Sequence, residues 1–126
     1  MLETYVDKHY RTFTEETAGQ LTNKEGYAVE LTANGTVQLF TSGICIGFMH
    51  SKLQGANDVV IRLLAPTYKV IAGGAIAIRG QVKGLTGGKV VAATTGSRAL
   101  GIKISPTAAS ADGDTLEIIT LAETAP

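Results

Sequence analysis

The sequence predicts an all-β fold, a small β-barrel or β-sandwich of short antiparallel strands with an internal duplication and an extended N-terminal arm. Three observations lead there. The 126 residues include 15 glycines, four Tyr, three Phe and no Trp, with apolar runs made largely of Val and Ile, a composition suited to short strands joined by tight turns. Apolar β-runs recur between Gly, Asn, Asp and Pro punctuation at a spacing that gives roughly eight to ten strands. One phrase also occurs twice. Gly26, Val29, Leu31, Val37 and Leu39 lead to Ile46-Gly47 and then to Asp58, Val59, Val60, Ile61 and Leu63. Gly80, Val82, Gly88, Val90 and Val91 lead to Leu100-Gly101 and then to Asp114, Leu116, Ile118 and Ile119.

Residues 1–25 carry Tyr5, Val6, His9, Tyr10 and Phe13 without sustained apolar periodicity, and the run Thr14, Glu15, Glu16, Thr17 is polar. They read as an extended arm whose aromatic side chains dock on a partner, the alternative being an edge strand of the same domain. Residues 26–126 read as a single β-domain, with a first copy over about 26–65 and a second over about 68–121.

Within the first copy, Tyr27, Val29 and Leu31 alternate with Ala28, Glu30 and Thr32. Asn34-Gly35 then supplies a hairpin, because both residues tolerate the positive φ that a tight β-turn needs. Val37 and Leu39 form the return strand. The run Ile44 to Met49, broken by Gly47, predicts a strand buried on both faces or a close backbone approach at the glycine. Asp58 to Leu64 follows as a strand. Ala65, Pro66 and Thr67 mark the junction between copies, since Pro66 has no N–H for a ladder and biases Ala65 away from helix.

In the second copy, Tyr68, Val70 and Ile71 lead to Gly73-Gly74, read as a second hairpin with Ile76 and Ile78 on its return. Gly87 and Gly88 turn into Val90 and Val91. After a turn at Gly96 come the run Ala99 to Ile104, the small-residue loop Pro106 to Asp112, and a last strand from Thr115 to Leu121.

Eleven basic and eleven acidic residues cancel, so the global positive field that nucleic-acid binding draws on is missing. Between residues 51 and 103, however, Lys52, Arg62, Lys69, Arg79, Lys83, Lys89, Arg98 and Lys103 stand against one acid, Asp58. Tyr68 is the one ring there for a base to stack on. Such polarity can steer one copy against another or against a larger acidic surface, while solvated sheet faces are the plainer account. The sequence has no apolar run of bilayer-spanning length and no secretion-signal pattern. Its lone cysteine, Cys45, cannot form an intrachain disulfide. The expectation is synthesis in a reducing cytoplasm, without membrane or nucleic-acid partners.

The repeated unit repeats no acid, base or ligand, so the expectation is no enzyme activity, no cofactor and no metal. Cys45 and His50 are an odd number of residues apart, which on a strand sends them to opposite faces. The histidines and the cysteine form no HxH, HxxxH or CxxC pair. Gly84 to Lys89 has the composition of a phosphate loop, but Val90 follows the lysine where Ser or Thr is needed, and the chain continues as strand. Asp112 and Asp114 around Gly113 suit a turn.

The run from Tyr68 to Val82 and its sequel resemble the capsid decoration, or cement, proteins of tailed phages. The resemblance rests on Gly73-Gly74, Ile76 with Ile78, Gly80 with Val82, Gly88 to Val90, Leu100-Gly101, the small residues Ala108 to Ala111, and Gly113-Asp114, and covers about residues 68 to 120. It implies a virion protein on the outer capsid surface, made in the host cytoplasm. Its partners would be the major capsid protein, whose neighbouring subunits it clamps in the expanded shell, and itself as a homotrimer. It also implies that the arm makes the capsid contact, with Tyr5, Val6, Tyr10 and Phe13 as candidate anchors because aromatic side chains concentrate interface energy. The alternative is a small β-barrel binding module for glycan or peptide on a phage tail or cellular scaffold.

Overall fold

The computed structural model describes residues 10–52, 57–63 and 67–124; Tyr5, Val6, Ala65 and Pro66 lie outside them. Ten strands occur among the described residues: β1 (Tyr10–Thr14), β2 (Ala28–Leu31), β3 (Val37–Leu39), β4 (Cys45–Lys52), β5 (Asp58–Leu63), β6 (Thr67–Ile71), β7 (Gln81–Gly84), β8 (Val90–Ala92), β9 (Arg98–Ser105) and β10 (Thr115–Thr124). They form two antiparallel five-stranded sheets, ordered β1-β5-β4-β2-β3 and β6-β10-β9-β7-β8. Adding five to each strand number converts the first order into the second.

The duplication extends to individual residue pairs. Val29 pairs with Gly47 and Leu31 with Val37, as Val82 pairs with Gly101 and Gly84 with Val90. Met49 pairs with Ile61, as Lys103 pairs with Ile118. The N–H of Gly26 donates to Met49 O, and that of Arg79 donates to Lys103 O, both at 2.9 Å. Gly26 and Arg79 share a left-handed backbone, at φ 85° and 68°.

The repeat therefore begins at β1, earlier than the expected first copy. Residues 10–14, read as the end of an extended arm or as an edge strand of the same domain, form the edge strand of the first sheet. β1 pairs with β5 along its whole length, from Tyr10 opposite Arg62 to Thr14 opposite Asp58, and its twin β6 pairs with β10 in the same way. The turn that follows β1 is pinned by Glu15, whose carboxylate accepts the N–H groups of Gly19 and Leu21 and meets Lys52 Nζ at 2.6 Å. Leu21 is thereby driven fully into the core.

Neither sheet closes into a barrel, so the barrel half of the expectation gives way to a sandwich-like arrangement. Each sheet curls until the residue after its first strand meets its third strand in one parallel bridge, Glu15 to Val37 and Ala72 to Val90. One bridge falls short of the continuous ladder that closure requires. The expected hairpin at Gly73-Gly74 is a bend instead, and residues 75–80 form a loop. Ile76 is buried from that loop, its N–H donating to Ser110 Oγ at 3.0 Å.

Alternation along the strands sets up two cores. Leu21, Val29, Val37, Met49, Val59 and Ile61 line the inside of the first sheet, with Phe13 and Leu39 packed against them. The second core joins the halves: Ala28, Cys45 and Phe48, on the outer face of the first sheet, pack with Val70, Ala72, Ile76, Val82, Val90, Leu100, Leu116 and Ile118. Phe48 is 1% exposed, and burying a ring of that size stabilises the joint by about 1.5–3 kcal/mol.

The glycine of the repeated Ile46-Gly47 and Leu100-Gly101 phrases has a steric cause. A Cβ on Gly47 would fall on the carbonyl oxygen of Arg62, and one on Gly101 on that of Ile119, both backbone atoms of the neighbouring strand. The close approach expected at Gly47 is thus present in both copies.

Candidate functional site

A groove of about 380 Å³ opens between the two halves. The first sheet contributes Tyr10, Phe48, Met49, His50 and Arg62, and the second contributes Lys69 and Glu117. Strand pairing explains the grouping, because Tyr10 lies opposite Arg62, Arg62 opposite Phe48, and Lys69 opposite Glu117.

The polar groups support one another. Arg62 donates to the Tyr10 hydroxyl at 2.6 Å and its guanidinium stands 5.2 Å from the ring centroid, while the His50 ring meets Tyr10 edge-on at 4.8 Å. Tyr10 is thereby held in place while remaining 43% exposed. A held ring between Arg62 and Lys69 suits contact with a carboxylate-bearing or aromatic surface, since little side-chain freedom remains to be lost on binding.

A smaller cleft of about 180 Å³ lies between Phe40, Ser42, Gly43 and Cys45 of the first half and Lys83, Gly84, Ser97, Arg98 and Leu100 of the second. Burial pushes the Cys45 thiol up to about 11, against the opposing pull of a backbone hydrogen bond from Gly47 and of the Arg98 charge. A thiol so poised is protonated at neutral pH and a poor nucleophile. Cys45 faces this cleft and His50 the larger groove, so the structure does not bring the two together as a nucleophile–base pair. Among the described residues no group of three His, Cys, Asp or Glu side chains is placed to hold a metal ion.

Of the candidate anchors, Tyr5 and Val6 lie outside the described residues. Tyr10 is exposed in the groove, whereas Phe13 turns to the inside of the first sheet and packs on its core, with Arg11 over its ring. His50, Arg62, Lys69 and Glu117 escaped the sequence reading as neighbours of Tyr10. The pairing of β1 with β5 brings Arg62 to Tyr10, and the meeting of the two sheets adds Lys69 and Glu117, neither of which a short-range pattern encodes.

No protein-family model matches the chain, and no curated protein matches it in sequence. Solved structures do supply a counterpart. The chain is similar to the head fiber gp8.5 N base in bacteriophage phi29. The TM-score is 0.61 at 12% sequence identity, and the match covers 93% of this chain and 98% of that one. The likeness therefore spans both five-stranded units and is one of fold.

Proposed function

We propose that this chain is a phage virion protein that sits on the outer surface of an icosahedral head and clamps neighbouring major capsid subunits, a decoration or cement role. The observation that carries the reading is the end-to-end match of the duplicated fold to a head fibre base. The groove geometry supports it, with an exposed aromatic ring held by Arg62 and His50 and with Lys69 in the same lining. Clamping makes and breaks no covalent bonds. It requires only that separating two subunits expose area buried against the clamp, at about 25 cal/mol per Å² of apolar surface, and many copies on one lattice sum modest affinities. Tyr10, exposed in the groove, is the anchor that this reading assigns to the contact.

The test is addition of purified protein to undecorated, expanded heads. The reading expects saturable binding at a fixed number of copies per head and a raised disruption temperature. Unchanged disruption with no bound protein, or binding to glycans or peptides in place of heads, would move the chain to the binding-module alternative.

A further inference from the structure

The contact between the two halves of this chain is a template for a contact between two chains. The β7–β8 hairpin sits on the outer face of the first sheet: Gly88 O accepts the N–H of Ala28 at 2.6 Å, the N–H of Gly87 donates to Phe40 O at 2.8 Å, and Thr86 Oγ1 donates to Thr41 O at 3.0 Å. A Cβ on Gly84 would stand 2.7 Å from the Phe40 ring, so the hairpin offers a hollow and the sheet face a knob.

Each surface has a twin on the other half, and each twin includes an exposed large apolar side chain, Leu31 on one and Ile119 on the other. Leu31 is the twin of Gly84, since Leu31 pairs with Val37 as Gly84 pairs with Val90. Ala93 is the twin of Phe40, since Phe40 donates its N–H to Ala28 O as Ala93 does to Gln81 O. The sizes are exchanged. Inside the chain a large Phe40 meets a missing side chain at Gly84; between chains a large Leu31 would meet a small Ala93, and a volume-conserving exchange of this kind is tolerated at packed contacts. Leu31 is 50% exposed. On the receiving side, Ile119 holds the position of Arg62, opposite Ile102 where Phe48 stands in the first half, and is 46% exposed.

Charge agrees with shape. Glu16 is fastened to the β2–β3 hairpin by hydrogen bonds from Thr32, Asn34 and Thr36, so that hairpin carries a fixed carboxylate. Lys83 of β7, one residue before Gly84 at the place that Glu30 takes before Leu31 in β2, donates to Thr94 Oγ1 at 3.1 Å, next to Ala93, while also lining the cleft toward the first half.

We infer that a second copy of the chain seats its β2–β3 hairpin, led by Leu31, on the outer face of the second sheet at Ala93 and Ile119, in head-to-tail association. Each chain carries one hairpin and one face of this kind, so the contact is heterologous and closes into a ring or extends, according to the rotation it imposes. The inference stands on the duplication and is independent of the capsid role.

The test is sedimentation velocity on the full chain over dilutions up to about 1 mM, with circular dichroism confirming the fold of each variant. Wild-type protein is expected to self-associate reversibly. Leu31→Gly, Leu31→Glu and Ala93→Phe should each weaken association by about tenfold or more, and the double variant Leu31→Gly/Ala93→Phe, which recreates the Gly84–Phe40 pairing, should restore most of it. A wild-type chain that stays monomeric over the whole range overturns the inference. So does association that Leu31→Gly and Leu31→Glu both leave unchanged.

Discussion

Lys103 occupies in the second sheet the core position that Met49 occupies in the first. Met49 lies opposite Ile61 and is 2% exposed; Lys103 lies opposite Ile118 and is fully buried. Its ammonium donates to Ile76 O at 2.8 Å and Ala108 O at 2.6 Å, tying the 75–80 loop to the 106–111 loop across the open end of the sheet. The first half covers the equivalent end differently, with Leu21 held down by Glu15.

Replacing Lys103 separates these contributions. Lys103→Ala leaves a cavity and two carbonyls without their donor, and is expected to cost about 3–5 kcal/mol. Lys103→Met fills the space with the side chain that the first copy uses and should cost about 1–3 kcal/mol less than the alanine variant. Urea unfolding of the two variants against wild type measures both, and equal losses would contradict the account.

Gly47→Ala and Gly101→Ala should each destabilise the fold by about 2 kcal/mol or more, because the added methyl meets backbone of the adjacent strand. At Gly74 a Cβ meets nothing within 4 Å, so Gly74→Ala should be neutral or slightly stabilising, within about 1 kcal/mol. Thermal unfolding of the three variants gives the ranking.

Arg79 holds a left-handed backbone that its twin fills with Gly26. Because that conformation costs a residue with a Cβ about 1 kcal/mol relative to glycine, Arg79→Gly is expected to stabilise the protein by up to about that amount, read as a raised unfolding midpoint. A lowered midpoint would show that the arginine side chain outweighs the backbone cost.

Glu30 sets an acid limit on stability. Burial alone would raise its carboxyl, but the N–H groups of Thr41 and Gly43, the Gln38 amide and the Thr41 hydroxyl outweigh burial and hold it down at about 2, from 4.5. Because the folded value is the lower one, the stabilisation is complete above about pH 4.5 and is lost as pH falls toward 2. The loss is on the order of 3 kcal/mol. Glu15, also lowered against burial by Lys52 and two backbone N–H groups, acts in the same direction. Unfolding midpoints measured from pH 6 to about pH 2 should fall steeply in wild type and less steeply in Glu30→Gln.

Much of this fold was legible in the sequence, for reasons visible in particular residues. Asn34-Gly35 and Gly87-Gly88 mark hairpins because their turns need positive φ, and Ile46-Gly47 and Leu100-Gly101 repeat because the same backbone crossing recurs. β1 leaves little apolar pattern because only Phe13 among its residues packs on the core while Tyr10, Arg11, Thr12 and Thr14 remain exposed, so nothing in its sequence decides between an arm and an edge strand. Leu21 and Ile76 are buried from loops, where no period announces burial. Lys103 read as a solvated cation, and only its twin, Met49, reveals a core position. The groove was the least legible part, since Tyr10, His50, Arg62 and Lys69 converge only after two sheets have formed and met.

The proposed role requires the duplicated fold to clamp capsid subunits from outside. Electron cryomicroscopy of expanded heads saturated with this protein tests it most directly. The account predicts twin five-stranded sheets on the outer surface, straddling the boundary between two major capsid subunits, with Tyr10 in the contact. Bare shells at saturating protein, or density confined to one subunit with the Tyr10 groove turned to solvent, would contradict it.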